Sequence, residues 1–215
     1  MSRSVFGTAE EGARPARLDR DRGLVEAARR DPSRFDALYR KYLAQVYSYA
    51  YYELRDHHAA EDATERIFMQ ALAGLPRFEE RVDAFVALRD GPSHVADTTD
   101  FSTFRVWLFR IARNVVANER RRDRRRPVSS LDDAAEISAP DDVADAAAAR
   151  EAVGAAWRAV SRLPEDRRRA VVLRFVDEMS TAEIAAVLGR SEGAVRVLLH
   201  RALRAVAEDL RGRLS

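Results

Sequence analysis

Apolar residues returning every three or four positions constrain this chain more than any other feature. Phe35, Leu38, Tyr39, Tyr42, Leu43, Val46 and Tyr47 form one such series, and Ala63, Ile67, Phe68, Ala71 and Leu72 a second. Phe104, Trp107, Leu108, Ile111, Ala112, Val115 and Val116 form a third. Side chains at this spacing share one face of an α-helix, so each series predicts an amphipathic helix. A short helix from Asp21 to Arg30 is ended by Asp31-Pro32; the second series runs over Ala59 to Leu75 and is closed by Pro76. The third starts near Ser102 and is stopped by Pro127, and four more helices are expected near 146–162, 164–176, 180–188 and 191–210. Ala and Arg are the commonest residues, Leu and Glu are also frequent, and all four are good helix formers. The expected class is all-α.

The helices fall into two groups. Residues 127–145, PVSSLDDAAEISAPDDVAD, hold two prolines, six acids from Asp132 to Asp145 and no base. Such a stretch cannot bury enough apolar surface to fold, so residues 127–146 read as an acidic flexible linker. The expected architecture is two small helical domains, 21–126 and 147–215, on that tether, with residues 1–20 as a flexible tail. Residues 79–100 stand apart within the first domain. They offer Val82, Phe85, Val86 and Leu88 for a short extra helix, then GPSHVADTTD, which reads as loop. The absence of cysteine excludes disulfides and Cys-ligated zinc. The first residues lack a signal-peptide core, and no apolar run approaches bilayer length, so a cytoplasmic protein without membrane insertion is expected.

A helix-turn-helix is legible over about 180–208. Ser180-Thr181-Ala182-Glu183 is a capping box, in which the serine accepts from a backbone N–H and the glutamate reaches back. Ile184, Ala185 and Leu188 face inward, and Gly189 supplies the left-handed residue that a sharp reversal needs. Ser191 caps the next helix, whose inward residues are Ala194, Val195, Leu198, Leu199 and Ala202. Its outward face carries Glu192, Arg196, Val197, His200, Arg201 and Arg204. A guanidinium can grip guanine or a phosphate bidentately. Two ordinary core helices joined by a glycine turn would share much of this pattern; cap, turn and crossing residues together favour DNA binding.

From Arg105 to Arg126 there are nine arginines against Glu119 and Asp123. An apolar body with a basic edge suits partly melted DNA, whose bases stack and whose phosphates pair. Phe104, Trp107 and Phe109 at helical spacing are equally explained as core, and arginines at a helix C-terminus also complement its dipole. His57, His58, Glu61, Asp62 and Glu65 have partial metal-ligand spacing, but no further ligand motif supports them. They read as surface charges at a helix start, and no metal or cofactor is expected.

Taken together, FDALYRKYLAQVYSYA, AEDATERIFMQALAGLPRF, FRVWLFRIARNVVANERRR and LPEDRRRAVVLRFVDEMSTAEIAAVLGRSEGAVRVLLHRALRAV resemble the short extracytoplasmic-function (group IV) sigma factors of RNA polymerase. The resemblance covers about residues 21–126, as sigma domain 2, and 147–210, as sigma domain 4. It implies a non-enzymatic subunit that binds core RNA polymerase and directs promoter recognition and transcription initiation. Domain 2 would meet the β′ clamp helices through Asp62, Glu65, Arg66 and Gln70; the family commonly has Gln-Glu where this chain has Glu65-Arg66. The −10 element would be engaged by Arg110, Arg113, Asn114, Asn118 and Arg121. Domain 4 would meet the β flap and read the −35 element through Ser191, Glu192, Arg196, Val197, His200 and Arg201. The family also implies an anti-sigma factor as partner. A short base-capturing loop joins Phe78 to the WLFRIARN helix in the family; this chain inserts some twenty residues there.

Two alternatives stand beside this reading. A free-standing helix-turn-helix regulator accounts for the C-terminal motif but leaves WLFRIARN and the tether without a purpose. An enzyme using His57 and Glu61 lacks any nucleophile–base set.

Overall fold

The computed structural model describes residues 20–80, 102–123 and 144–212. Among these residues helices are the only regular elements: α1 (Arg22–Arg30), α2 (Phe35–Leu54), α3 (His57–Gly74), α4 (Thr103–Asp123), α5 (Ala144–Arg162), α6 (Glu165–Phe175), α7 (Thr181–Leu188) and α8 (Glu192–Arg211). Short 3-10 turns at Pro32–Arg34 and Leu75–Arg77 lead into α2 and out of α3.

Local chemistry sets the joints. The Asp31 carboxylate accepts from the Ser33 amide at 3.0 Å and opens the turn before α2. Helix α2 runs seven residues beyond Tyr47, because Tyr49, Ala50 and Glu53 prolong its buried stripe. It stops at Arg55, in the left-handed region with φ 60°. The Asp56 side chain then accepts from the Ala59 amide at 2.6 Å and starts α3 at His57, two residues before the expected start.

Helices α2, α3 and α4 enclose the first core around Leu38, Tyr42, Val46, Ile67, Phe104 and Leu108, all fully buried. Tyr49 meets Phe109 edge to face at 5.6 Å. Each large apolar side chain so enclosed contributes about 1.5–3 kcal/mol. Asp21, also fully buried, accepts from Lys41, Tyr42 and Ser102 and so ties the start of α1 to α2 and to the root of α4. Burial pushes the Asp21 carboxyl up, but the hydrogen bonds from Lys41, Ser102 and Tyr42 outweigh it and hold it below its ordinary value.

The second group, α5 to α8, is built as its caps dictate. Glu183 N–H donates to Ser180 Oγ at 3.2 Å, and Ser180 N–H donates to Glu183 Oε2 at 2.9 Å, completing the capping box. Gly189 turns the chain at φ 67°, and Ser191 Oγ accepts from the Ala194 amide at 3.2 Å. Ile184, Ala185 and Val195 are fully buried at the crossing of α7 and α8. Val160, Leu163, Val171 and Ala202 close a smaller core between α5, α6 and α8.

Two boundaries change. Helix α5 begins at Ala144, inside the stretch assigned to the linker through 146, because an alanine-rich run favours helix there. Arg105, the first arginine of the run read as a basic edge, is instead buried at 4% exposure. The tail through 19, the insert over 81–101 with its expected extra helix, and linker residues 127–143 lie outside the described residues.

The two helical groups also pack on each other. Helix α4 lies against α7 and α2 against α6, and the Tyr52 and Trp157 rings meet with centroids 4.4 Å apart. One hydrophobic cluster runs through both, from Leu38 and Phe109 to Leu173 and Ile184.

Candidate nucleic-acid interface

The helix-turn-helix presents its second helix outward. Arg196 and Val197 are about half exposed, and His200 and Arg201 are also exposed. Ser191 is occupied as the N-cap. Glu192 departs from the expected outward position: its side chain is 15% exposed and faces Arg196 Nη1 at 3.5 Å, so it orients that arginine at the start of the exposed face.

Helix α4 separates its roles by face. Phe104, Leu108, Phe109 and Val116 are core, whereas Asn114, Asn118 and Arg121 are exposed, with Arg121 Nη1 donating to Asn118 Oδ1 at 3.2 Å. Trp107 is half-buried and packs over Gly74, where an added Cβ would lie 2.9 Å from the ring. The core explanation of the aromatics therefore holds for Phe104 and Phe109.

Arg110 and Arg113 reach across to the second group. Arg110 Nε donates to the Ala186 carbonyl at 2.9 Å and Arg113 Nη1 to the Val187 carbonyl at 3.3 Å, in the last turn of α7. Arg105 donates to the Asp177 carbonyl and lies 3.6 Å from Glu183 Oε2. Burial raises the Glu183 carboxyl despite that arginine, and raises Asp177 well above the usual carboxylate range.

A second polar knot lies between α2, α4 and α6. Glu53 Oε2, on a fully buried side chain, meets Arg120 Nη1 at 2.9 Å, Arg168 Nη2 at 3.3 Å and Arg169 Nε at 3.6 Å. Sequence reasoning missed Glu53, Arg168 and Arg169. A glutamate seven residues after Val46 on an apolar stripe is the signal that could have found the first.

On α3, Asp62, Glu65 and Gln70 are exposed. Arg66 is half-buried and reaches Glu119 of α4 at 2.7 Å, which makes it a tie within the first group. Beside this face, an open apolar groove between α2 and α3 is lined by Phe35, Tyr39, Phe68 and Met69, together with Glu61 and Glu65. His57 stacks on Tyr51 at 4.5 Å and shares a 2.7 Å hydrogen bond with Tyr47; His58 is 95% exposed. Among the described residues no His, Asp and Glu group is arranged to hold a metal ion, and no helix is long and apolar enough to cross a membrane.

Comparison with known proteins matches these parts in the same order. The sigma-70 region 2 model matches residues 38–87, and the sigma-70 region 4 model matches residues 154–206. The ECF RNA polymerase sigma factor SigL of Mycobacterium tuberculosis is 31% identical over 183 residues, covering 84% of this chain and 90% of SigL. The chain belongs to the extracytoplasmic-function sigma factors. ECF RNA polymerase sigma factor BldN of Streptomyces coelicolor is 33% identical over 192 residues, 87% of this chain and 64% of BldN. The fold is likewise that of RpoE of Bartonella quintana, solved with the anti-sigma factor NepR. That comparison has a TM-score of 0.55 at 21% identity and covers 82% of this chain and 96% of RpoE. In this sigma factor the region 2 match covers α3 and most of α2, and the region 4 match runs from within α5 into α8; the first and second helical groups are called domain 2 and domain 4 after these matches.

Proposed function

We propose that this sigma factor binds core RNA polymerase and brings it to promoters, domain 2 engaging the −10 element and domain 4 the −35 element, with no catalytic step or cofactor of its own. The observation that carries this reading is the arrangement of α4 and α8. One helix exposes Asn114, Asn118 and Arg121 above an aromatic core, and the other exposes Arg196, Val197, His200 and Arg201 on a capped helix-turn-helix. Arginine forks suit base edges and phosphates in the duplex −35 region, whereas an asparagine beside cations suits an unstacked −10 strand.

The exposed edge of α3 and its apolar groove are the docking site for the β′ clamp helices, through Asp62, Glu65 and Gln70. Arg66 contributes by fixing α3 on α4. Domain 4 meets the β flap. An anti-sigma factor holds the protein in check, as NepR's pairing with RpoE suggests. The compartment is that of chromosome and polymerase, the cytoplasm.

Asn114→Ala tests the assignment. It should leave copurification with core polymerase unchanged and cut open-complex formation; equal loss of both would remove Asn114 from the −10 surface.

A further inference from the structure

Around Glu53 the charges do not balance. Arg120, Arg168 and Arg169 converge on its Oε2, and the guanidiniums of Arg120 and Arg169 also meet Glu165 Oε1, the first at 3.9 Å. A fourth guanidinium, that of Arg55, adjoins them. Partial burial, and then the charges of Arg168 and Arg120, hold Arg55 below the ordinary arginine value, while Glu53 acts in the opposite sense. Four guanidiniums against two carboxylates leave two positive charges in surplus where α2, α4 and α6 meet. We infer that this junction is a binding site for a small polyvalent oxyanion of the diphosphate class, with Arg55 and Arg120 as its outer contacts and Arg168 behind them.

The donors outnumber what Glu53 can serve. A carboxylate offers about four acceptor positions, yet all three arginines address Oε2, and Oε1 has no hydrogen-bond partner among the described residues. The side chains of Arg168 and Arg169 are buried, and the Nε atom of each also lacks a hydrogen-bond partner there. A buried donor left unpaired is costly. Arg55 itself is exposed, and among the described residues no carboxylate or carbonyl receives its guanidinium. Its backbone stands in the left-handed region at φ 60°, where glycine or asparagine is the ordinary residue, so an arginine kept there points to a use for the side chain. A phosphate group supplies both the missing negative charge and several acceptor oxygens, which arginine forks bind bidentately. Glu165 is the chain's own stand-in for that ligand. Its carboxylate reaches two of the four guanidiniums while 45% exposed, so it is free to give way. None of these residues belongs to the proposed polymerase or promoter contacts, and the ligand is therefore additional to both.

Equilibrium dialysis of the full chain against radiolabelled inorganic pyrophosphate at low salt tests the site, with ADP and GDP as competitors. One pyrophosphate should bind per chain. Arg55→Gln, a change at an exposed side chain, should weaken binding about tenfold through loss of one charge-assisted contact. R168M/R169M should remove it. Glu165→Gln should tighten it by up to about fivefold, because the competing carboxylate is gone. Arg40→Gln and Asp36→Asn make the same charge changes at an exposed pair more than about 20 Å away along α2, and should alter nothing. Competition by ADP and GDP equal to that of unlabelled pyrophosphate supports the site with the diphosphate alone as ligand; stronger competition by either supports it with a nucleotide as the source. Absence of binding to the unmutated chain overturns the site. So do equal effects of the Arg40 and Arg55 variants, or binding that emerges only when the six acids from Asp132 to Asp145 become amides, which would make the linker the occupant of the cluster.

Discussion

Replacing Glu53 by glutamine removes one charge from a site holding three guanidiniums between 2.9 and 3.6 Å from Oε2. The side chain is fully buried and those of Arg168 and Arg169 are 9% and 5% exposed, so solvent cannot replace the lost carboxylate while the domains stay closed. Breaking a buried pair by removing one partner costs about 3–5 kcal/mol. Glutamine can still accept one hydrogen bond, which places the expected loss near the lower bound, about 3 kcal/mol. In R168M/R169M the ion pair that Glu53 keeps among the described residues is that with Arg120, whose side chain is 24% exposed. There the same replacement should cost about 1 kcal/mol. Urea melts of the four proteins, followed by far-UV circular dichroism, should then give a coupling of about 2 kcal/mol. Effects that add within about 0.5 kcal/mol would show that Glu53 and the two domain 4 arginines do not act as a unit.

Other expectations concern separate parts of the molecule. Arg196→Ala should weaken promoter binding by about 1–3 kcal/mol at one −35 position and relax its sequence preference, as read by binding to a panel of single-base variants; uniform loss across the panel would make Arg196 a phosphate contact. Burial, opposed by Arg105, raises the Asp177 carboxyl, so its stabilising effect is full below about pH 4 and is lost as pH rises through the elevated native value. Asp177→Asn should thus gain stability over the parent as pH increases from about 4 to 8, and a gap independent of pH would refute the assignment. Gly74→Ala places a methyl group against Trp107. Overpacking of about 1–3 kcal/mol should exceed a helix-propensity gain of up to about 1 kcal/mol, leaving a net loss of about 1 kcal/mol and a shifted tryptophan emission.

The parts governed by short-range rules were legible in the sequence. Ser180 with Glu183, Gly189 and Ser191 are local devices, and the structure reproduces each one. The apolar series likewise located α2, α3 and α4, because the helical period fixes which side chains point inward. What escaped was long-range and polar. Arg168 meets Glu53 across 115 positions of chain, and no local pattern distinguishes a guanidinium bound for an ion pair from one bound for water. Arg105 misled for the same reason, since its burial depends on domain 4 packing over α4. The lengthened segment after Phe78 offered Val82, Phe85, Val86 and Leu88 as clues.

The central claim is promoter-specific initiation, and in vitro transcription with purified core polymerase measures it directly. Core enzyme supplemented with this sigma factor and genomic fragments should start transcripts at discrete sites that share a −10 and a −35 element at fixed spacing. Core enzyme alone should not. Failure of the chain to join core polymerase, or starts scattered without shared elements, would contradict the account.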